Sequence, residues 1–225
     1  QGFRRSQNIL YRPACKGCIA CFSSRIDVSK FQKSKSQKRV VNKNRQVARS
    51  IKNPWATEEQ YDLFKKYLNY RHIDGGMAGM EIYEFSAMIE ETSIKSEVIE
   101  YYSSKLYSDP VLIGASLTDI LDDGISMVYS FYDPEIKQNS FGKYIILDHI
   151  EYAKQLELPY VYLGYWVPNS EKMGYKSDFS GIEIFNDGAW QPLDIDCKLK
   201  LEPDQPEPIT KQVSNLKLPS NFLEI

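Results

Sequence analysis

Between residues 126 and 176 the hydrophobic period of the chain switches from two to 3.6 and back, and this fixes the centre of the fold. SMVYSFY alternates Met127, Tyr129 and Phe131 with Val128, Ser130 and Tyr132, a strand pattern that Asp133-Pro134 stops. The next stretch sets Phe141, Tyr144, Ile145, Tyr152 and Leu156 at helical spacing, with Asp148 on the flank, and closes at Leu158-Pro159. Residues 160–166 then read as a second strand. Strand, helix of about four turns and strand make a right-handed crossover between neighbouring parallel strands. A ligand belongs between two such strands, near the start of the helix. The aromatic density there (Tyr129, Tyr132, Tyr160, Tyr162, Tyr165, Trp166, Tyr175) exceeds what a plain core needs. Tyrosine serves best where the ring is dry and the hydroxyl has a partner.

Upstream, TEEQYDLFKKYLNYRH predicts a helix with a Thr57/Gln60 capping box, acids in its first turn, and Tyr61, Phe64 and Leu68 on one face. A short helix is expected at 87–91, and strands at 96–102 and 111–120. The second of these strands turns through Asp122-Asp123-Gly124 into the strand before the crossover. Another short strand is expected after Gly181. A hairpin followed by a crossover points to an α+β fold of the GNAT acyltransferase type with a mixed central sheet. Coenzyme A users of that fold cradle pyrophosphate on a glycine-rich loop at the crossover helix. Here that position reads Asn139-Ser140-Phe141-Gly142-Lys143, with one glycine. A coenzyme A cradle is not evident, so a different acyl donor is called for.

The charge distribution says what carries it. Residues 1–56 hold 14 Lys/Arg against the single acid Asp27, while the rest hold 14 against 29 Asp/Glu, which the net charge of −2 conceals. Lys33, Lys35, Lys38, Arg39, Lys43 and Arg45 are interleaved with Ser34, Ser36, Gln37, Asn42 and Asn44, groups suited to phosphate. A solvated basic face is the competing reading. No zinc-finger, helix-turn-helix or basic-zipper pattern accompanies the segment, so RNA fits better than duplex DNA. The expected organisation is a basic, cysteine-containing segment at 1–56, a transferase core at 57–200 and a peripheral or partly disordered extension at 201–225. No apolar run reaches membrane-spanning length and no signal-peptide pattern opens the chain, so a cytoplasmic protein is expected. The chain opens at Gln1 rather than Met, so residues can be missing upstream.

Cys15, Cys18 and Cys21 have two residues between neighbours, which is metal-ligand spacing, but three thiolates are one short of a closed tetrahedral site. A structural metal and reduced, partly buried thiols both fit. A nucleophilic cysteine would want a histidine, and only His72 and His149 exist; His149 reads as a core residue.

GFRRSQNILYRP, SKSQKRVVNKN, YLNYRHIDGGM, SMVYSFYDP, FGKYIILDHI and YVYLGYWVPNSEKMGYK, six blocks in order over residues 2–179, resemble the aminoacyl-tRNA–protein transferases of the N-degron pathway. The Cys-x-x-Cys-x-x-Cys form is similar to the bacterial leucyltransferase branch, whose members carry a further segment ahead of the first block. The resemblance implies leucine transfer from Leu-tRNA to proteins with N-terminal Asp or Glu, with no coenzyme A and no required cofactor. Arginine as the donor residue is the alternative. An N-acetyltransferase and a non-enzymatic RNA- or zinc-binding module are the readings from other classes. An aminoacyl ester is already activated, so the task is positioning, water exclusion and oxyanion stabilisation. Asp133, with Tyr162 and Tyr165, forms the expected catalytic group, with Asp133, or a tyrosine or water relay, taking the proton. Arg4, Arg5, Ser6, Tyr11 and Arg12 are expected to bind the acceptor, an arginine fork holding its carboxylate. The charged tRNA is expected on Lys33, Lys35, Lys38, Arg39, Lys43 and Arg45, with Lys172, Tyr175 and Lys176 at its 3′ end.

Overall fold

The alternating stretch 126–132 forms the middle of an eight-stranded sheet. The computed structural model describes residues 2–71, 75, 77–103 and 109–194. In chain order the elements begin with β1 (Arg4–Ser6), β2 (Ile9–Tyr11), β3 (Phe22–Asp27), α1 (Lys35–Lys43), β4 (Val47–Lys52), α2 (Glu58–Arg71) and α3 (Ile82–Glu90). They continue with β5 (Ser96–Ser103), β6 (Val111–Leu121), β7 (Gly124–Tyr132), α4 (Phe141–Gln155), β8 (Tyr160–Trp166), β9 (Ile182–Asn186) and β10 (Ala189–Pro192). Short 3₁₀ helices cover Pro134–Asn139 and Gly174–Asp178. The sheet runs β10-β9-β3-β8-β7-β6-β5-β4, and β1 and β2 form a separate hairpin. Among the described residues β7 and β8 are the parallel neighbours and the other pairs are antiparallel.

The expected capping box of α2 is present: the Gln60 amide donates to Thr57 Oγ1 and the Thr57 amide to Gln60 Oε1, each at 3.2 Å. The second helix begins earlier than expected, at Ile82. On one side of the sheet, α4 buries Phe141, Ile145, Ile146 and Ile150 against Ile125, Met127 and Val161. On the other, α2 and α3 pack Phe64, Leu68 and Phe85 against Leu117 and Phe131, with ring centroids 5.0 to 6.0 Å apart among Phe64, Phe85 and Phe131.

The basic segment is not a separate appendage. Its β3 lies between β8 and β9, and its β4 closes the β5 edge, so residues 22–52 belong to the same sheet as the core. Ser34 and Gln37, read as phosphate contacts, are instead the capping box of α1, with bonds of 3.2 and 2.9 Å. Asn44 caps its other end, donating through Nδ2 to the Val40 carbonyl at 2.9 Å. The extension at 201–225, together with Cys197 and His72, lies outside the described residues.

His149 is a core residue, fully buried, with Nε2 2.9 Å from Thr118 Oγ1 and Nδ1 2.8 Å from the Ile145 carbonyl. Burial drives its pKa down to about 4, below the ordinary histidine value. The unfolded chain therefore binds one more proton than the folded chain between about pH 6.5 and 4. The stability His149 contributes is complete above that window and is lost as pH falls through it, on the order of 3 kcal/mol. Urea unfolding of wild type and His149→Gln across this range should show a shallower pH slope in the variant by about one proton. Identical slopes would mean the histidine is not buried neutral.

Candidate functional site

Strands β7 and β8 pair over three residues, Gly124 with Tyr160, Ile125 with Val161 and Ser126 with Tyr162, and then part. Gly124 permits the close start, since a Cβ there would lie 2.5 Å from the Tyr160 carbonyl oxygen. Both strands bulge where they separate. In β7 the β6 partner steps from Leu117–Tyr129 to Thr118–Met127, leaving Val128 extra. In β8 the β3 partner steps from Ser24–Gly164 to Arg25–Tyr162, leaving Leu163 extra. A bulge bends its own strand, and two facing bulges open the sheet.

The carbonyls freed by the opening are taken by two basic side chains. Arg4 Nη2, reaching in from the hairpin, donates to Met127 O at 2.9 Å and Val128 O at 2.8 Å. Lys176 Nζ, from the 3₁₀ helix Gly174–Asp178, donates to Leu163 O at 2.8 Å and to Tyr165 O. Gly164, at φ +80°, leaves room for the Arg4 guanidinium, which any side chain there would strike. A lone glycine inside a strand pattern signals a bulge or a close approach, and Gly164 was that signal.

A cavity of about 510 Å³ opens from this parting, bounded by the end of α2, the start of α4, β7, β8 and the 3₁₀ helix of Lys176. That volume falls in the usual range of small-molecule sites. Among the described residues its wall carries six tyrosines (Tyr11, Tyr67, Tyr129, Tyr132, Tyr165, Tyr175) and four basic side chains (Arg4, Arg71, Lys143, Lys176), with no carboxylate or histidine. Met127, Val128, Phe141, Ile146, Leu163 and Met173 supply the apolar surface. Burial raises Tyr129 to about 12 and pushes Tyr67 and Tyr175 up as well, so these hydroxyls stay neutral. A second cavity of about 340 Å³, lined by Tyr162, Trp190, Ser23 and Ser126 among others, shares Arg4, Val128 and Gly164 with the first.

The residues singled out from sequence divide sharply. Arg4, Tyr11, Tyr165, Tyr175 and Lys176 reach the main wall. Tyr162 lines the second cavity and donates to Asp123 Oδ2 at 2.8 Å. Asp133 lines neither: Lys66 Nζ holds it at 3.0 Å and it accepts the Glu135 amide at 2.9 Å, so it stops the strand and caps the turn. Arg5 also departs from expectation. It is buried against Asp119, with Nε–Oδ2 at 2.6 Å and a second bond from Nη2 to Oδ1, while Nη2 reaches Ser96 Oγ at 3.1 Å. Ser6 and Arg12 are exposed, Arg12 over the Phe3 ring at 5.5 Å. Lys176 is buried and cannot reach a phosphate on the surface. Tyr67, Arg71, Tyr132 and Lys143 were not singled out as site residues, because a cavity wall is assembled from separate elements.

Lys33 pairs with Glu151 at 2.8 Å. Lys35, Lys38, Arg39, Lys43, Arg45 and Lys172 are exposed and form no ion pair among the described residues. Lys35, Lys38 and Arg39 fall at i, i+3 and i+4 along α1, one basic stripe. Cys15 and Cys18 are exposed and Cys21 partly so. Burial, then the neighbouring Cys15 and Cys18, raise the Cys21 pKa. Among the described residues no three His, Cys, Asp or Glu are gathered into a group that could hold a metal, so the structural-metal reading has no support here. Likewise no described helix is long and apolar enough to cross a membrane.

A mixed sheet opened between its parallel strands, with a cavity at the crossover helix, is a GNAT-like α+β fold. Family models described as the C terminus and the N terminus of arginine-tRNA-protein transferase match residues 59–186 and 1–39. The chain belongs to that family, and it is a transferase. An aspartate/glutamate leucyltransferase of Ruegeria pomeroyi is 56% identical over 99% of this chain and 81% of its own length. The enzyme of the same description from Paracoccus denitrificans is 51% identical over 98% and 82%. The solved structure of FemX shares the fold with a TM-score of 0.51 at 8% identity, covering 76% of this chain and 59% of FemX.

The Arg5–Asp119 pair makes a prediction against the acceptor role first expected of Arg5. Arg5→Ala leaves Asp119 buried without its counter-charge and should lower stability by about 3–5 kcal/mol in urea unfolding. Replacing both by apolar residues should recover most of that loss. A variant of wild-type stability that loses activity only toward acidic acceptors would return Arg5 to the acceptor site.

Proposed function

We propose that this protein transfers leucine from Leu-tRNA to the α-amine of proteins beginning with Asp or Glu, leaving an N-terminal leucine. The observation that carries this is the cavity wall, whose described residues are tyrosines, basic groups and apolar side chains without a carboxylate. An aminoacyl ester placed at the parting of β7 and β8 would have its leucyl side chain against Met127, Ile146 and Leu163. Its 3′-terminal adenosine would lie among the tyrosines, Tyr165 and Tyr175 included, since a base stacks on aromatic rings. An arginyl side chain would need a carboxylate, which the described wall residues do not offer, and would meet Arg4, Arg71 and Lys143 instead. Leucine is therefore the favoured residue, in keeping with the names of the relatives.

The same cations suit what the reaction generates. Attack by the amine turns the ester carbonyl into an oxyanion, and fixed positive groups in a dry site favour that state over the ground state. The acceptor's side-chain carboxylate is also anionic. Arg4, whose Nη1 and Nε are not used by the β7 carbonyls, and Arg71, exposed at the end of α2, are the cations placed to meet it. A neutral side chain would leave such a group unpaired, which is how a polar site discriminates. The stripe on α1 supplies sequence-independent contacts to the tRNA backbone.

The test is transfer from Leu-tRNA and Arg-tRNA to peptides beginning with Asp, Glu or Ala. Leucine should pass to the Asp and Glu peptides, with Arg-tRNA and the Ala peptide at background. Lys38→Glu combined with Arg39→Glu should raise KM for charged tRNA and flatten the dependence of log K on log salt by about 1.4–1.8, leaving kcat nearly unchanged. Equal tRNA affinity in the variant across a salt titration would remove α1 from the interface.

A further inference from the structure

The transfer reaction needs a group that accepts a proton, and neither Asp133, named for it from sequence, nor the described histidine is on the wall. Asp133 is off the wall and held by Lys66, and His149 is sealed in the core with both ring nitrogens bonded. We propose that Lys176, acting as a neutral amine, takes the proton from the attacking α-amine and returns it to the departing ribose oxygen. This rests on the transfer reaction proposed above.

Geometry comes first. Lys176 is 7% exposed, yet it lies on the cavity wall beside the parting of the strands. Its Nζ gives two hydrogens to the Leu163 and Tyr165 carbonyls. A neutral amine has two hydrogens and a lone pair, whereas an ammonium has three hydrogens and no acceptor site. The two carbonyls thus use what the neutral form can donate and leave one position of the nitrogen for the cavity. The side chain is also fixed, since both acceptors belong to the backbone of β8.

Charge agrees with geometry. The described residues that share the wall with Lys176 include Arg4 from β1, Tyr11 from β2, Arg71 from α2, Lys143 from α4, Tyr165 from β8 and Tyr175 from its own turn, all basic groups or phenols. Lys143 has its counter-ion in Asp178, 2.5 Å away and not on the wall. With no carboxylate among the described wall residues to hold the proton, burial first and then the Arg4 charge lower the Lys176 pKa to about 7. That value matches a general base working near neutral pH.

The step balances. The α-amine nitrogen bonds to the ester carbonyl carbon, giving a tetrahedral adduct with one positive nitrogen and one negative oxygen. Lys176 Nζ removes the proton from that nitrogen. The carbonyl re-forms as the bond to the ribose oxygen breaks, and that oxygen takes the proton from Lys176. The products are the amide, a free tRNA 3′ end and the neutral lysine.

Three measurements on the full chain test this: single-turnover transfer from Leu-tRNA to an Asp-initiated peptide, tRNA binding, and NMR titration of labelled lysine side chains. Wild type should show one lysine resonance titrating near 7, absent in Lys176→Arg. Lys176→Arg keeps donors for both carbonyls but cannot accept a proton. It should lose about 10²–10⁴-fold in the transfer rate, with tRNA affinity changed by less than about threefold. Lys176→Met, if folded, should lose at least as much. The proposal fails if Lys176→Arg transfers within about fivefold of wild type, if tRNA affinity falls in proportion to rate, or if no lysine titrates below about 9. Wild type that transfers nothing from either charged tRNA would overturn the reaction itself as well. Normal transfer that ignores Lys176 overturns the proton role alone.

Discussion

The structure depends on how it closes the gap it opens in its own sheet. Parting β7 from β8 removes ladder partners from backbone carbonyls in the middle of the protein, and a buried carbonyl left unpaired costs about 1–3 kcal/mol. Here the missing donors come from side chains: Arg4 for Met127 and Val128, Lys176 for Leu163 and Tyr165. Each donor arrives on an element outside the sheet, so satisfying the backbone also draws the hairpin β1–β2 and the 3₁₀ helix Gly174–Asp178 to the cavity. An uncharged side chain could have closed the whole gap. Arg4 closes its half with a cation, which leaves a positive group where the proposed transfer would form an oxyanion.

The uneven charge along the chain follows from this arrangement. Acids from the later part neutralise the basic segment selectively: Glu151 takes Lys33, Asp148 takes Arg49 at 3.3 Å, and Asp119 takes Arg5. Among the described residues the cations of α1's outer stripe and, on the cavity wall, Arg4 and Arg71 form no ion pair, while Lys143 pairs with Asp178. Two positive regions therefore remain, one exposed and one walled by tyrosines. A polyanion with a reactive end fits both, its backbone on the first and its terminus in the second.

Legibility in the sequence tracked how local the cause was. The bounds of β7, α4 and β8 follow from periodicity and from Pro134 and Pro159; β7 and β8 appear within two residues of the reading, and α4 stops at Gln155, three residues before Leu158. The capping box of α2 was equally local. In the basic segment the lysines drew attention from the structural signals they flank. Ser34-x-x-Gln37 was a capping box in plain view, and Val40 and Val41 pack against the core beneath α4. The site was less legible still. Arg4 and Arg5 are adjacent and chemically alike, yet strand alternation sends one to the cavity and the other to Asp119. No local rule separates them, because the difference lies in what each meets across more than 100 residues of sequence.

The start of α4 shows why this fold can serve an RNA-borne donor without a glycine-rich loop. A pyrophosphate cradle needs bare backbone amides at the helix N-terminus, open to the ligand. Here Ser140 adopts φ 52°, Phe141 is buried, and a Cβ on Gly142 would already touch the Tyr132 ring at 3.3 Å. The rings of Tyr132, Phe141 and Tyr144 lie 5.4 to 5.8 Å apart in sequence along that end. Aromatic faces thus cover the place where a phosphate would be held. The basic side chain at this helix start, Lys143, is already paired with Asp178, so a hydrated dianion held there would lose its water for little return. Under the transfer reaction proposed above, a planar base would take the aromatic faces, and the phosphates, which follow the terminal base and sugar, would be left nearer the basic surface of α1.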